Sequence, residues 1–339
     1  MSHKPGVAII GCGNIFGVHA EAVQKYKNAE LKAVVDIKKE KAVKAAAKYD
    51  CSYFTDYQEM LKEKEIDVVH ICTPHYLHAP MSIDSLKAGK HVLVEKPMAE
   101  NLDNAQKMIE VKNRHPEQHL GIVFQNRYNT TSQKARQLIQ KGELGKLKGI
   151  KGIVTWYRND DYYLQDEWRG KWETEGGGVL INQAIHTLDL VQWLGGELEA
   201  VKGNFDTRVI ESIEVEDTAD ATLFFKDDKK GIFFASNCFS TNSPVEIEIH
   251  GEEGLLKLQN NNLILEKEDG SIDLRSEEGN DKFKSYWGQG HESLISDFYN
   301  NIRENRQDYV TAEEGIKSIE IIHGIYESSK NDQKYEIKN

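Results

Sequence analysis

Val7-Ala8-Ile9-Ile10-Gly11-Cys12-Gly13-Asn14-Ile15-Phe16-Gly17 is the stretch on which the fold turns. Four apolar residues make a short buried strand, two glycines close a tight turn, and a helical segment runs from His19 to Tyr26. Strand, glycine turn and helix open a βαβ unit. The glycines let backbone approach a pyrophosphate, which sits at the positive end of the helix. Gly11, Gly13, Asn14 and Ile15 therefore read as a phosphate cradle. The third glycine of the dinucleotide fingerprint would fall on Phe16, and Gly17 comes one residue late. A glycine-rich turn with no ligand has the same local sequence, so the reading depends on what surrounds it.

The surroundings continue the pattern. Leu31–Val35, Asp67–Cys72, His91–Val94 and His119–Phe124 are further apolar runs. Lys38–Tyr49, His78–Ala88 and Leu102–Asn113 between them have helical spacing, with Val43 and Ala46-Ala47 expected on the inner face of the first. Continuous apolar strands alternating with helices predict a doubly wound parallel sheet, an α/β Rossmann domain over residues 1–125. Ligands of such sheets collect at the strand carboxyl ends. Asp36 ends the second strand. A carboxylate there accepts from a ribose 2′-hydroxyl and repels a 2′-phosphate, which favours NAD over NADP, although Lys38 and Lys39 could neutralise a phosphate. Asp36 could equally cap the helix that starts near Lys38.

Residues 126–339 read differently. Helices are expected at Ser132–Gln140 and Val179–Leu194. Strands then follow in series: Ala219–Phe225, Gly231–Cys238, Val245–His250, Leu255–Leu258 and Leu263–Glu266. Gly254, Asn260-Asn261-Asn262 and Asp269-Gly270 supply turns. Two helices close the chain, His291–Arg303 and Ala312–Ser328. This is an α+β pattern with a large, mostly antiparallel open sheet. The chain has 43 basic and 55 acidic residues, a net charge of −12. That balance argues against nucleic acid or an anionic membrane as partner. Four scattered cysteines without CxxC spacing argue against a disulfide framework or a metal site. With no signal-peptide pattern after Met1, a cytoplasmic location is expected.

Three segments could carry chemistry. Thr73-Pro74 ends the third long strand and Glu95-Lys96-Pro97 the fourth. Pro97 restricts Lys96 to an extended backbone, so the lysine is either a positioned cation or an exposed residue before a turn. The third is Gly176-Gly177-Gly178 and the helix after it. Asn182, His186, Asp189 and Trp193 fall on one line of that helix, beside an apolar stripe. His186 can act as a base, with Asp189 one turn on to orient it, or it can be a satisfied core histidine. The glycines favour the first reading, because they admit a second backbone or a ligand.

Taken in order, these residues resemble the glucose–fructose oxidoreductase/inositol dehydrogenase/MocA family. The matching pieces are Gly11–Gly17, Asp36, Thr73-Pro74, Glu95-Lys96-Pro97, Phe124-Gln125-Asn126-Arg127, Trp168-Arg169-Gly170 and the triple glycine with Asn182, His186 and Asp189. The resemblance implies a nicotinamide cofactor, a sugar or polyol substrate, and a homodimer or homotetramer built on the open sheet. It implies Lys96 and His186 as catalytic groups, with Asn182 where many members have Asp. It implies Gly11, Gly13, Asn14, Ile15, Asp36, Thr73, Pro74, His78, Glu95, Lys96, Gln125, Trp168 and Arg169 around the cofactor. Lys96, Arg127, Asn182 and His186 are expected at the substrate, with Tyr162 and Tyr163 either sugar contacts or packing residues. Such a scaffold also hosts enzymes that retain NAD while eliminating, hydrolysing or epimerising, and non-catalytic NAD-binding regulators.

Overall fold

The computed structural model describes residues 4–259, 262–268, 270–275 and 290–338. Met1–His3, Asn260, Asn261 and Asp269, on which the readings of the N-terminus and of two turns partly rest, lie outside them. The chain divides into two compact units.

The first unit comprises residues 1–124 and 291–316. Its strands are β1 (Gly6–Ile10), β2 (Glu30–Val35), β3 (Ser52–Phe54), β4 (Val68–Ile71), β5 (His91–Glu95) and β6 (Leu120–Val123). They form one sheet in the order β3-β2-β1-β4-β5-β6, with every neighbouring pair parallel. All residues of β1, β4 and β6 are buried, as strands covered on both faces must be. The helices are α1 (Phe16–Lys25), α2 (Lys39–Tyr49), α3 (Tyr57–Leu61), α4 (His75–Lys87) and α5 (Leu102–Arg114). β3 escaped the sequence reading because it is a three-residue edge strand with no buried residue. In α2 the inner face is Ala42, Ala45, Ala46 and Tyr49, a strict i, i+3, i+4, i+7 set. Val43 is 40% exposed, so its expected inward placement was wrong.

Residues 291–316, placed by chain order with the second domain, fold with the first unit. The helix α9 (Gly290–Glu304) brings Leu294, Ile295, Phe298 and Tyr299, all buried. Downstream, the Ile122 N–H donates to Val310 O at 2.9 Å, and Gly121 bridges Thr311. This return segment covers the open edge of β6, which would otherwise present unpaired backbone groups.

The second unit comprises residues 125–290 and 317–339. Its sheet contains β7 (Leu147–Thr155), β8 (Leu198–Asp206), β9 (Thr218–Phe225), β10 (Lys230–Ser236), β11 (Glu246–Gly251), β12 (Leu255–Gln259), β13 (Asn262–Lys267), β14 (Gly270–Arg275) and β15 (Tyr335–Glu336). The order is β14-β13-β12-β11-β7-β10-β9-β8-β15, and every neighbouring pair is antiparallel except β7–β10. The central strand β7 was missed because Gly149 and Gly152 interrupt its apolar run. The remaining helices are α6 (Thr130–Gln140), α7 (Asp160–Leu164), α8 (Ile185–Gly195) and α10 (Ala312–Asn331), the last of which runs from one unit into the other. Ile185, Leu188, Val191 and Leu194 of α8 are buried, and α8 packs on β7. Each such side chain contributes about 1.5–3 kcal/mol on burial. Among the described residues, no helix is long and apolar enough to cross a membrane.

Candidate active site

The glycine turn lies between β1 and α1. Gly11 has φ +96°, and a Cβ there would overlap the Cys72 carbonyl. Its glycine is therefore explained by the chain. Gly13 is different, since a Cβ there would meet no described atom within 4 Å. Nothing among the described residues requires a glycine at 13, so the open space suits a ligand whose oxygens approach the backbone. Ile15 precedes α1 without a capping side chain, and no acid lies in the first helical turn. The helix N-terminus thus keeps its electropositive character. Phe16, at the missing third glycine, is buried edge-on to Tyr49 with ring centroids 5.5 Å apart, tying α1 to α2.

Asp36 is bound to this turn. The Cys12 N–H donates to Asp36 Oδ2 at 2.9 Å, and the Lys38 N–H donates to Oδ1 at 2.8 Å. The N-cap of α2 is Lys38 itself, so of the two roles weighed for Asp36 the capping one fails. Burial, followed by the charge of Asp36, pushes the Cys12 thiol up to about 12, which rules it out as a nucleophile near neutrality.

The two strand-end loops are braced from behind. His78 is fully buried, with Nδ1 2.6 Å from Pro97 O and Nε2 2.8 Å from Thr73 O. Burial pulls its pKa down, against those two carbonyls. It ties the Thr73-Pro74 loop to the Lys96-Pro97 loop. The Lys96–Pro97 peptide bond is cis. Thr73 Oγ1 is buried without a hydrogen-bond partner among the described residues, an acceptor and donor that a bound cofactor can use.

The Glu95 carboxylate is engaged in the interior. His19 Nε2 lies 2.9 Å from Oε1, His291 Nε2 lies 3.7 Å from the same oxygen, and the Lys96 N–H reaches Oε2 at 3.3 Å. Burial would raise the Glu95 pKa, but the two imidazoles hold it well below the usual range. Behind His19 stand His70, with the two Nδ1 atoms 2.9 Å apart, and Tyr299, whose hydroxyl is 2.8 Å from His70 Nε2. One proton order leaves each of these two rings singly protonated. The Tyr299 O–H donates to His70 Nε2, His70 Nδ1–H to His19 Nδ1, and His19 Nε2–H to Glu95. Lys96 is thus anchored at its backbone to a satisfied buried network.

In the second unit, the segment Val179–Gln183 is a π-turn, not the first turn of a continuous α-helix. The Ala184 N–H donates to Val179 O at 2.8 Å, across five residues. The extra residue sets Asn182 off from the face that His186 and Asp189 share on α8. The Gln125 Nε2 amide faces His186 Nε2 at 3.3 Å. An amide N–H only donates, so His186 presents the Nε2 lone pair, through a bond longer than the usual 2.9–3.0 Å and easily exchanged. Gln125 was expected at the cofactor, and here it faces the candidate base. Asp189 was expected to orient His186. It instead receives Arg127 in a bidentate pair, Nε to Oδ2 at 2.8 Å and Nη2 to Oδ1 at 2.6 Å, both residues being buried.

The triple glycine admits protein. A Cβ at Gly178 would overlap the Glu216 backbone carbonyl, and one at Gly177 the Tyr326 hydroxyl. The fully buried Glu216 carboxylate accepts from Gly178 N–H at 2.9 Å, Leu180 N–H at 3.0 Å and the Tyr326 hydroxyl at 3.0 Å. Desolvation pushes its pKa up to about 7 against these bonds. Between pH 4.5 and 7 the folded chain then holds a proton that the unfolded chain has lost, so this contribution to stability is lost as pH rises through 7. Urea unfolding is expected to show Glu216→Gln gaining about 2–3 kcal/mol relative to the parent between pH 5 and pH 8. A difference independent of pH would refute the assignment.

Tyr163 is a packing residue: it is buried with Ile210, Ile213 and Val215, and its hydroxyl accepts from Asn237 Nδ2 at 2.9 Å. Tyr162 meets the π-turn. Its hydroxyl accepts from Gln183 Nε2 at 3.1 Å and Asn182 Nδ2 at 3.4 Å, and the Arg169 guanidinium lies over its ring at 4.3 Å. Arg169 also stacks on Trp168 at 5.0 Å and pairs with Asp166. Its Nη1 is buried without a hydrogen-bond partner among the described residues. Glu175, Gln183 and Glu216 were not singled out by the sequence reading. The one available signal was Glu175 standing directly before three glycines.

Two family models match the chain. One, an oxidoreductase family's NAD-binding Rossmann fold (GFO_IDH_MocA), covers residues 6–121, and the family's C-terminal alpha/beta domain covers 136–337. A myo-inositol 2-dehydrogenase of Thermotoga maritima is 26% identical over 75% of each chain. A levoglucosan dehydrogenase of Pseudarthrobacter phenanthrenivorans is 26% identical over 66% of this chain and 63% of that one. The WlbA dehydrogenase of Bordetella pertussis, solved with NADH and UDP-GlcNAcA, superposes with a TM-score of 0.89 at 27% identity, covering 100% of this chain and 99% of that one.

Proposed function

The chain belongs to the Gfo/Idh/MocA oxidoreductase family, and from that premise we propose that it is an NAD-dependent dehydrogenase of a sugar, polyol or sugar derivative. The observation that carries the reading is the glycine turn, with Gly13 facing open space and Asp36 bonded to the Cys12 N–H. Gly11, Gly13, Asn14 and Ile15 would hold the pyrophosphate, Asp36 the adenosine ribose, and Thr73 a polar group farther along. The bound nicotinamide supplies the hydride acceptor for a secondary alcohol. The chain supplies the rest. His186, through its Nε2 lone pair, takes the alcohol proton in exchange for the Gln125 amide. Lys96, as an ammonium, stabilises the alkoxide that develops. Tyr162, Asn182 and Arg169 orient the substrate. The relatives act on or bind inositol, levoglucosan and a nucleotide-linked sugar acid by name, which supports this substrate class. A homodimer or homotetramer on the open sheet is part of the proposal, supported by Ile232 at 57% exposure on β10.

The test is a panel of monosaccharides, inositols, sugar acids and nucleotide sugars with NAD, following NADH absorbance beside product. Product appearing with flat absorbance points to a cofactor-retaining reaction, and no turnover at all points to a regulator. NADH is expected to bind more tightly than NADPH, and Asp36→Ser to narrow that gap at least tenfold. Tighter NADPH binding by the parent protein in fluorescence titration would overturn the role of Asp36.

A further inference from the structure

The helix α6 starts without a side-chain cap. Its N-cap residue, Asn129, makes no bond to the first turn, and no acid lies in that turn. The Thr131 and Ser132 backbone N–H groups lack an intrahelical acceptor, as the first donors of any helix do, and no other described residue accepts from them. Both residues are buried, at 7% and 2% exposure, and both line a cavity of about 450 Å³ inside the second unit. The Ser132 hydroxyl, on the same wall, makes no hydrogen bond to a described residue. The charge of the wall is a second, separate observation. The chain carries a net charge of −12, yet among the described residues no Asp or Glu lines this cavity, and its charged group is Arg158. Arg158 Nη1 donates to the Tyr157 carbonyl at 2.6 Å and to Asn242 Oδ1 at 3.0 Å, and the guanidinium lies 5.1 Å from the Trp156 ring and 5.2 Å from the Tyr162 ring. These contacts hold the cation in place without a carboxylate to neutralise it. Leu190, Ile247 and Leu258 make an apolar wall, and Tyr162, Asn182 and His186 do not line the cavity.

We propose that this cavity is a second small-molecule site, separate from the candidate active site, and that it takes a phosphomonoester. The phosphate lies on the start of α6, with the Thr131 and Ser132 N–H groups and the Ser132 hydroxyl as donors and Arg158 as the countercharge. Backbone donors at a helix N-terminus, the dipole behind them and a guanidinium all favour an anion. The donors outnumber the two oxygens of a carboxylate and suit the three of a phosphate. Inorganic phosphate is far smaller than the cavity, so the organic part of the ester rests on Leu190, Ile247 and Leu258. The proposal does not depend on the dehydrogenase reading, because none of its groups belongs to the glycine turn or to the Lys96 and His186 pair.

The test is calorimetric titration of the full chain with phenyl phosphate, inorganic phosphate and benzoate. It is run in the parent and in a Gly13→Asp background, which puts a carboxylate into the open space at the glycine turn and closes that turn to anions. Saturable binding of phenyl phosphate is expected in both, weaker at high salt, with inorganic phosphate and benzoate each binding more weakly. Ser132→Asp places a carboxylate on the helix start, where it favours the helix and repels the phosphate, and Arg158→Gln removes the cation. Each is expected to weaken phenyl phosphate binding about tenfold or more. Ser132→Asp should keep the urea midpoint of the parent, so that lost binding is not lost folding; if it unfolds, Arg158→Gln decides alone. No saturable binding by the parent, undiminished binding by the folded variants, or benzoate binding as tightly as phenyl phosphate overturns the proposal. Binding that disappears in the Gly13→Asp background belongs to the glycine turn, and that result overturns the proposal while leaving the dinucleotide reading intact.

Discussion

His186→Ala is expected to lower kcat on the true substrate by about 10²–10⁴-fold, the usual contribution of a positioned general base. The argument is geometric. The imidazole presents the Nε2 lone pair to the Gln125 amide at 3.3 Å, a contact an alcohol O–H can replace. On the proposed mechanism the residue receives the proton only as the hydride departs, so its loss should fall on kcat more than on KM. On the same proposal Lys96→Ala removes the cation that stabilises the developing alkoxide and is expected to cost about 10²–10³-fold. Its backbone anchor, the Glu95 network, is untouched by that change, so NADH affinity measured by fluorescence should hold. Either variant turning over at the parent rate removes that residue from the mechanism.

Asp189→Ala is expected to destabilise the protein by about 3–5 kcal/mol, the scale for removing one partner of a buried ion pair. Arg127 and Asp189 side chains are 5% and 1% exposed, and two hydrogen bonds join them. The variant leaves a guanidinium in a low-dielectric interior without its carboxylate. The double variant Arg127→Met/Asp189→Leu should recover much of the loss, because the cost lies in the uncompensated charge and not in the missing contact. Urea unfolding of the three proteins decides it, and a single-variant loss under about 1 kcal/mol would show that the pair is solvated or otherwise compensated. Arg127 matters here because it had the residue type of a substrate contact. Its burial against Asp189 is what sequence alone does not report.

The same contrast runs through the site. Gly11, Gly13 and Asp36 were legible because strand, turn and helix are near neighbours in sequence. The catalytic candidates on α8 were legible as residue types, but their geometry was not. One added residue in the π-turn changed which way Asn182 points, and no periodicity announces such a turn. His78 and Glu95 sat in the right motifs and face inward, since the partners that hold them come from other strands and, for Glu95, from α9.

Local order in this chain was written locally. Apolar runs made the parallel strands, glycines made the turn after β1, and period-3.6 spacing made the helices, because each depends on neighbours within a few positions. The roles of single polar residues were settled by folding. Asp189 meets an arginine 62 positions away, and Glu216 meets the glycine segment across 38. Burial and hydrogen bonding between distant segments decide whether a charge serves chemistry or structure, and those distances exist only once the chain has closed on itself.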